Sequence, residues 1–393
     1  MHCSRSPLPP EILDLTIDHF HDEPATLKVC CLVSKSWIPR ARRHLFDHVK
    51  FDEFRESSFG SWMKTFPDPS NSPAHYTRTL SIFGIKPFTA ADTDVGRWIH
   101  AFSSVVHLHV EICNSNIWDG GVRIRVSLLP FHGLSPAVRS LHLESASGLS
   151  SEVNLMCSFP LLEDFAFIVF DHGNDADEWT TPSTSPRLTG SLTLSGAEEE
   201  IGPTARRLLD LPNGLHFTKI VLVWVTDVDP RLANDLVLRC SNTLESLDVT
   251  EELQGECRPP LLLISTSPIQ LGQAPELDLS TATKLKDLAF RCSQPNVKWI
   301  TRALRSVESN DLRRITLRPD PCIFADTIDE MAYQEWWDLD RLLVQFRTSR
   351  SIYPEVMYGA EFDEKGLRGR ALSLLPELTS RGLVDLVEYS IRS

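Results

Sequence analysis

The chain has 393 residues, and 39 Lys+Arg stand against 53 Asp+Glu for a formal net charge of −14. Hydrophobic residues make up 42% and charged residues 23%, the balance of an ordinary globular protein, which argues against disorder along the whole chain. The acidic balance repels phosphate and so argues against general nucleic-acid binding. Residues 1–50 hold seven basic and six acidic side chains, a net +1, which leaves −15 on the remainder and marks the N-terminus as a different unit.

The nine cysteines are an odd number, contain no CxxC and show no Cys–His grouping with zinc-finger spacing. They are expected to be reduced and mostly buried, in a reducing compartment. Met1 to Pro10 has no apolar signal core, and no apolar run approaches membrane-spanning length. The expectation is a cytoplasmic or nuclear protein.

Taken in chain order, Pro9 and Pro10 stand where a helix can begin, since proline is tolerated in a first turn. Leu13, Ile17 and Phe20 then form a stripe at helical spacing, with Ile12 and Leu15 as a second stripe beside it. Asp22-Glu23-Pro24 breaks the chain, and Ala25 to Trp37 is helical in pattern, with Leu27, Cys30, Cys31, Val33 and Trp37 apolar. After Pro39, Arg40 to Phe46 makes a third short helix. A unit of about 40 residues is near the lower limit for independent folding, so its surplus apolar surface needs a partner or the rest of the chain.

Leu8-Pro9-x-Glu11-Ile12, then Ile17, Phe20, Leu27 and Leu32-Val33-Ser34-x-x-Trp37, resembles an F-box over residues 6–47. The tract Ser34 to Arg42 is similar to F-box proteins of mushroom-forming fungi. The resemblance implies docking on a Skp-type adaptor of a cullin–RING (SCF) ubiquitin ligase, with the rest of the chain capturing a protein substrate. By motif position, Leu8, Pro9, Ile12, Ile17, Leu27, Val33 and Trp37 face the adaptor or hold the helices that do. Leu13, Phe20 and Cys30 belong to the helices' own core, and Phe20 departs from the pattern by standing where an aliphatic residue is common.

Beyond the helices, an apolar-x-x-apolar-x-apolar pattern recurs. Its middle positions are 80, 108, 141, 165, 192, 220, 247, 288 and 315, and most of the intervals between them lie near the 20–29 residues of leucine-rich repeats. Each unit supplies one short strand with alternate residues inward and a returning segment, often helical, as in Leu232/Leu236/Cys240 or Val297/Ile300/Leu304/Val307. Such units bury their apolar faces only by stacking. The expected fold class is therefore α/β: an N-terminal three-helix F-box over 6–50, a linker over 51–74, and a degenerate leucine-rich-repeat-like solenoid over 75–350. An unrelated α/β layer fold is the alternative. Segments near 171–187 and 251–281 read as loop insertions. Thr327-x-x-Glu330 reads as a capping box that opens a helix with Ile328 to Phe346 on its apolar side, which caps the solenoid's last strand, and a C-terminal cap follows over 351–393. Arg381 to Ile391 is a candidate final strand.

No phosphate loop, GxGxxG, HExxH or GxSxG is present, so no catalytic residue, cofactor or metal is assigned and the chain is read as a non-enzyme. Asp171, Asp175, Asp177 and Glu178 read as a solvated acidic loop rather than a calcium site. His107, His109 and Glu111 share a strand face with His142 and Glu144, a polar surface in preference to a metal or proton-switch cluster. Along that face the middle units offer Ala166, Ile168, Val221 and Val223, and the late units Lys219, Arg291, Arg314 and Arg318. A polar, then apolar, then basic face spanning about 40 Å suits a protein substrate. A scaffold that assembles no ligase is the competing function, and an enzyme using the acidic or His-rich cluster is a third.

Overall fold

The computed structural model describes residues 9–52, 58–84, 96, 98–112, 129–145, 152–169, 185–196, 198–224, 230–251, 277–292, 297–319, 330–350, 353–359, 372–383 and 385–389. Leu8, Thr327, the acidic loop from Asp171 to Glu178 and nearly all of both expected insertions lie outside the described residues. The chain forms two compact units, Met1–Glu163 and Asp164–Ser393.

The first unit opens with α1 (Pro10–Asp18), α2 (Pro24–Val33) and α3 (Ile38–Leu45), each with a proline in its first turn, where the missing N–H forfeits no helical bond. Helix α2 stops at Val33, short of the expected Trp37. Ser34 is extended (φ −153°, ψ 144°), and its hydroxyl accepts the N–H of Ser36 at 3.3 Å, a local bond that competes with the helix. Pro39 lies inside α3 rather than ahead of it. The helices share a small core of Ile17, Leu27, Cys30 and Ala41, against which Phe20, Cys31, Trp37 and Leu45 pack. Asp18 ties α1 to α3: Arg40 Nε donates to Oδ1 at 2.5 Å, Arg40 Nη2 donates to Oδ2, and His44 Nε2 lies 2.7 Å from Oδ1. The Arg40 guanidinium, helped by His44 and opposed by partial burial, holds the Asp18 carboxyl well below the usual carboxylate range.

Four parallel strands follow in sequential order, β1 (His48–Asp52), β2 (Thr79–Phe83), β3 (His107–Ile112) and β4 (Ser140–Ser145). The described part of the stretch expected to be a linker, 51–52 and 58–74, is folded. Phe51 lies in β1, α4 (Phe59–Thr65) follows, and Phe46, Phe51, Phe59, Trp62, Phe66 and Phe102 meet in edge-to-face and tilted aromatic contacts. Such rings bury large apolar area and so order the segment. A short helix, α5 (Glu152–Cys157), completes the unit.

The second unit carries β5 (Asp164–Val169), β6 (Ser191–Gly196), α6 (Glu198–Leu209), β7 (Lys219–Trp224), α7 (Pro230–Cys240), β8 (Ser246–Glu251), β9 (Asp287–Cys292), α8 (Val297–Arg305), β10 (Arg314–Pro319), α9 (Glu330–Arg350), β11 (Tyr353–Gly359), α10 (Pro376–Ser380) and β12 (Asp385–Tyr389). Its strands pair parallel in chain order, and α6, α7, α8, α9 and α10 lie on five of the connections as the crossovers that parallel pairing requires. The middle positions of the sequence pattern stand side by side: Phe165, Leu192, Ile220, Leu247, Leu288 and Ile315 form one row, as Leu80, Leu108 and Leu141 do in the first unit. All nine are buried, which fixes the register, because a one-residue slip would turn every one of them to the other face.

Helix α9 is a crossover rather than a terminal cap, since β11 and β12 extend the sheet beyond it. Trp336, Leu339, Leu343 and Phe346 form its buried side. Buried Asp340 on α9 accepts the N–H groups of Glu377 (2.6 Å) and Leu378 (3.0 Å) and so caps α10. At the far end of α10, Gly382 at φ +61° lets its own N–H reach Thr379 O and that of Leu383 reach Leu378 O, a paired stop that favours glycine. No helix among the described residues is long and apolar enough to cross a membrane.

Candidate functional site

Helices α1 and α2 leave more apolar surface outside than their core consumes. Ile12 is 47% exposed, Leu15 65%, Val29 58%, Leu32 85% and Val33 61%. These are five of the nine large apolar side chains found exposed among the described residues, and they fall on two helices of 9 and 10 residues. Ile12 and Leu15 are three apart, and Val29, Leu32 and Val33 lie three and four apart, so each helix presents its group on one face. Pro9 is exposed at the N-cap of α1.

Of the other residues expected at an adaptor interface, Ile17 and Leu27 are each 1% exposed in the helical core, and Trp37 packs against that core, so these three hold the helices. The set assigned to the adaptor does not include Leu15, Val29 or Leu32, although Leu32 stands in the motif. Their signal was available as helical spacing alone: a second stripe on α1, and a 29/32/33 set that the 27/30 core stripe cannot absorb.

The strand face of the first unit gathers a compact polar group. His109 on β3 and His142 on β4 are register partners, with rings stacked at 4.3 Å and 17°. Glu144 stands two residues beyond His142 on the same face, and its Oε1 lies 3.1 Å from both Nε2 atoms. His109 makes a hydrogen bond there. His142 does not, and its Nε2 is shielded from solvent with no hydrogen-bond partner. Burial, with His109 adding to it and Glu144 opposing, makes His142 less basic than an ordinary imidazole. The edge of the Phe83 ring packs on His109 at 4.9 Å, and Lys50 Nζ sits 4.0 Å from the centre of that ring. Glu111 pairs in register with Glu144 on this face.

In the second unit the expected apolar patch is interrupted. Ile168, Val221 and Val223 are half-buried, but β6 places Thr193 between Ala166 and Val221, and Ser195 between Ile168 and Val223. The expected basic end is partly neutralised. Arg314 Nε lies 3.0 Å from Asp287 Oδ1, and Arg318 Nη1 lies 2.8 Å from Asp248 Oδ2, reached diagonally across β9, where Asp248 pairs with Ala289 and Arg318 with Arg291. Arg291 is also engaged, and Lys219 is exposed on β7. Alternation gave these side chains their common face, but their acidic partners come from neighbouring strands up to 70 residues away.

Among the described residues Cys30, Cys31, Cys157 and Cys240 are free thiols, and burial pushes Cys157 and Cys240 up to about 11, away from nucleophilic use. No protein-family model matches the chain. A search of curated proteins likewise gives no match.

Proposed function

We propose that the chain is an F-box-type substrate receptor: α1–α3 dock on a Skp-type adaptor of a cullin–RING ubiquitin ligase, and the strand-and-helix repeats, a degenerate leucine-rich-repeat-like array, hold a protein substrate. The observation that carries the reading is the exposed apolar set Ile12, Leu15, Val29, Leu32 and Val33 beside a completed small core. An exposed apolar face of this kind marks an interaction site, and burying it under a partner lets a few central residues carry most of the binding energy. The motif-ordered residues from Pro9 to Trp37 point to an adaptor as that partner.

The chain then needs no bond-forming chemistry of its own. It supplies proximity, which raises the effective concentration of substrate at the ligase. The in-register rows support the repeat reading, and the half-exposed residues on the strand faces, Ile168, Val221, Val223 and Arg318 among them, are the substrate-contacting candidates. Cytoplasm and nucleus are the compartments this function assigns.

Co-elution on a sizing column tests the proposal. The full chain is expected to run with a purified Skp-type adaptor as a one-to-one complex and to join a cullin–RING assembly through it. A folded chain that elutes separately from the adaptor at micromolar concentrations contradicts the reading.

A further inference from the structure

We infer that His109, His142 and Glu144 form a binding site for a divalent transition-metal ion on the β3–β4 face of the first unit. The inference is independent of the adaptor reading. One ligand atom from each residue lies within 4.8 Å of the other two. In a tetrahedral zinc site, metal–ligand bonds of about 2.0–2.2 Å place donors roughly 3.3–3.5 Å apart. Two of the three donor pairs here, each imidazole Nε2 with Glu144 Oε1, already stand at 3.1 Å. The third pair, one nitrogen from each ring, lies within 4.8 Å, and closing it to that spacing requires the side chains to rotate when the ion binds.

The state of His142 is the second, separate observation. Its Nε2 is withdrawn from solvent, close to a carboxylate oxygen, and yet makes no hydrogen bond. A buried polar atom without a partner is disfavoured, and an imidazole nitrogen in that position is satisfied by a metal. Hydrogen bonding alone explains one histidine beside Glu144. It does not explain two stacked rings converging on a single oxygen.

The site is also held in place. Register pairing fixes the two histidines side by side, and Phe83 packs against His109 from the next strand. Two imidazoles and one carboxylate select zinc, nickel, copper and their neighbours over magnesium and calcium, which prefer all-oxygen shells. Three protein ligands leave a fourth position to water or to a side chain of a bound protein, and the half-exposed face gives an ion access.

The test uses the full chain, stripped with a chelator and titrated with Zn(II) against a chromophoric indicator, with Co(II) absorption in parallel. One equivalent is expected to bind, with the visible bands of four-coordinate Co(II) and no thiolate charge-transfer band, because no cysteine takes part. His142→Ala and Glu144→Gln are each expected to weaken binding by at least about 100-fold, since even supporting groups around metal ligands are worth 10–100-fold. His48→Ala, with a side chain 76% exposed and outside the cluster, should bind as wild type. Circular dichroism establishes that each variant is folded. Should His142→Ala fail to fold, the near-isosteric Glu144→Gln decides the matter. Absence of a bound equivalent, binding that survives these substitutions, or a thiolate band overturns the inference.

Discussion

On α1 and α2, Ile12, Leu15, Val29, Leu32 and Val33 face solvent beside a core of four buried residues. Across β5–β10, the rows Phe165–Leu192–Ile220–Leu247–Leu288–Ile315 and Phe167–Leu194–Leu222–Val249–Phe290–Leu317 are buried throughout, with at most 5% exposure at Val249. The strand rows satisfy their apolar residues internally, because each strand covers its neighbour's flank and the returning helices, through Leu236, Ile300 and Leu304, cover the face. The helices cannot do so. Three short helices enclose one narrow core, and a second apolar stripe on α1 has nowhere to go within them. Apolar residues therefore serve stability in the strand rows and are left exposed on the helices, where the proposed function uses them for association.

Substitutions sharpen that contrast. Phe167→Ala, fully inside the second row, should cost about 3–5 kcal/mol in urea unfolding, the usual loss for a buried ring. Asp340→Ala removes the two bonds that cap α10 and should cost about 2 kcal/mol in the same measurement. A loss below about 0.5 kcal/mol would show that α10 is held by packing alone. Asp18→Asn addresses the helices through pH. A carboxyl held below its unfolded value stabilises above about pH 4 and loses that contribution as pH falls toward the folded value. The gap in melting temperature between wild type and Asp18→Asn should thus be full at pH 6 and narrow progressively as the buffer is taken from pH 4 to pH 2. Leu32→Ser, at 85% exposure, should leave the melting temperature nearly unchanged, within about 0.5 kcal/mol of stability. A large loss there would mean that Leu32 is covered within the folded chain and would break the comparison.

Much of this contrast was legible in the sequence. The apolar-x-x-apolar-x-apolar spacing located the strands from β2 to β10 and the residues that meet across them, because burial on one face leaves a period-two signature. Three prolines and one stripe located the helices. What escaped was structure that lacks the period. Strand β1 offers only Val49 and Phe51, and β11 carries Pro354 among mixed residues, so neither showed the pattern. The aromatic cluster around Trp62 is held by contacts distant in sequence, such as Phe51 with Phe102, and an irregular stretch therefore looked like a linker. Charge behaved the same way. Arg318 appears as a basic surface residue until Asp248 is set beside it by the fold, while the contact of His109 with Glu144 was half-visible from their shared face.

Calorimetric titration of a Skp-type adaptor into the full chain, wild type beside Ile12→Ala/Leu32→Ala, tests the central claim most directly. Tight one-to-one binding is expected for wild type. The double substitution should weaken it by about 30-fold or more, the equivalent of about 2 kcal/mol, at an unchanged melting temperature. No binding by the folded wild-type chain, or equal binding by both proteins, would contradict the assignment of the exposed α1–α2 residues as the docking surface.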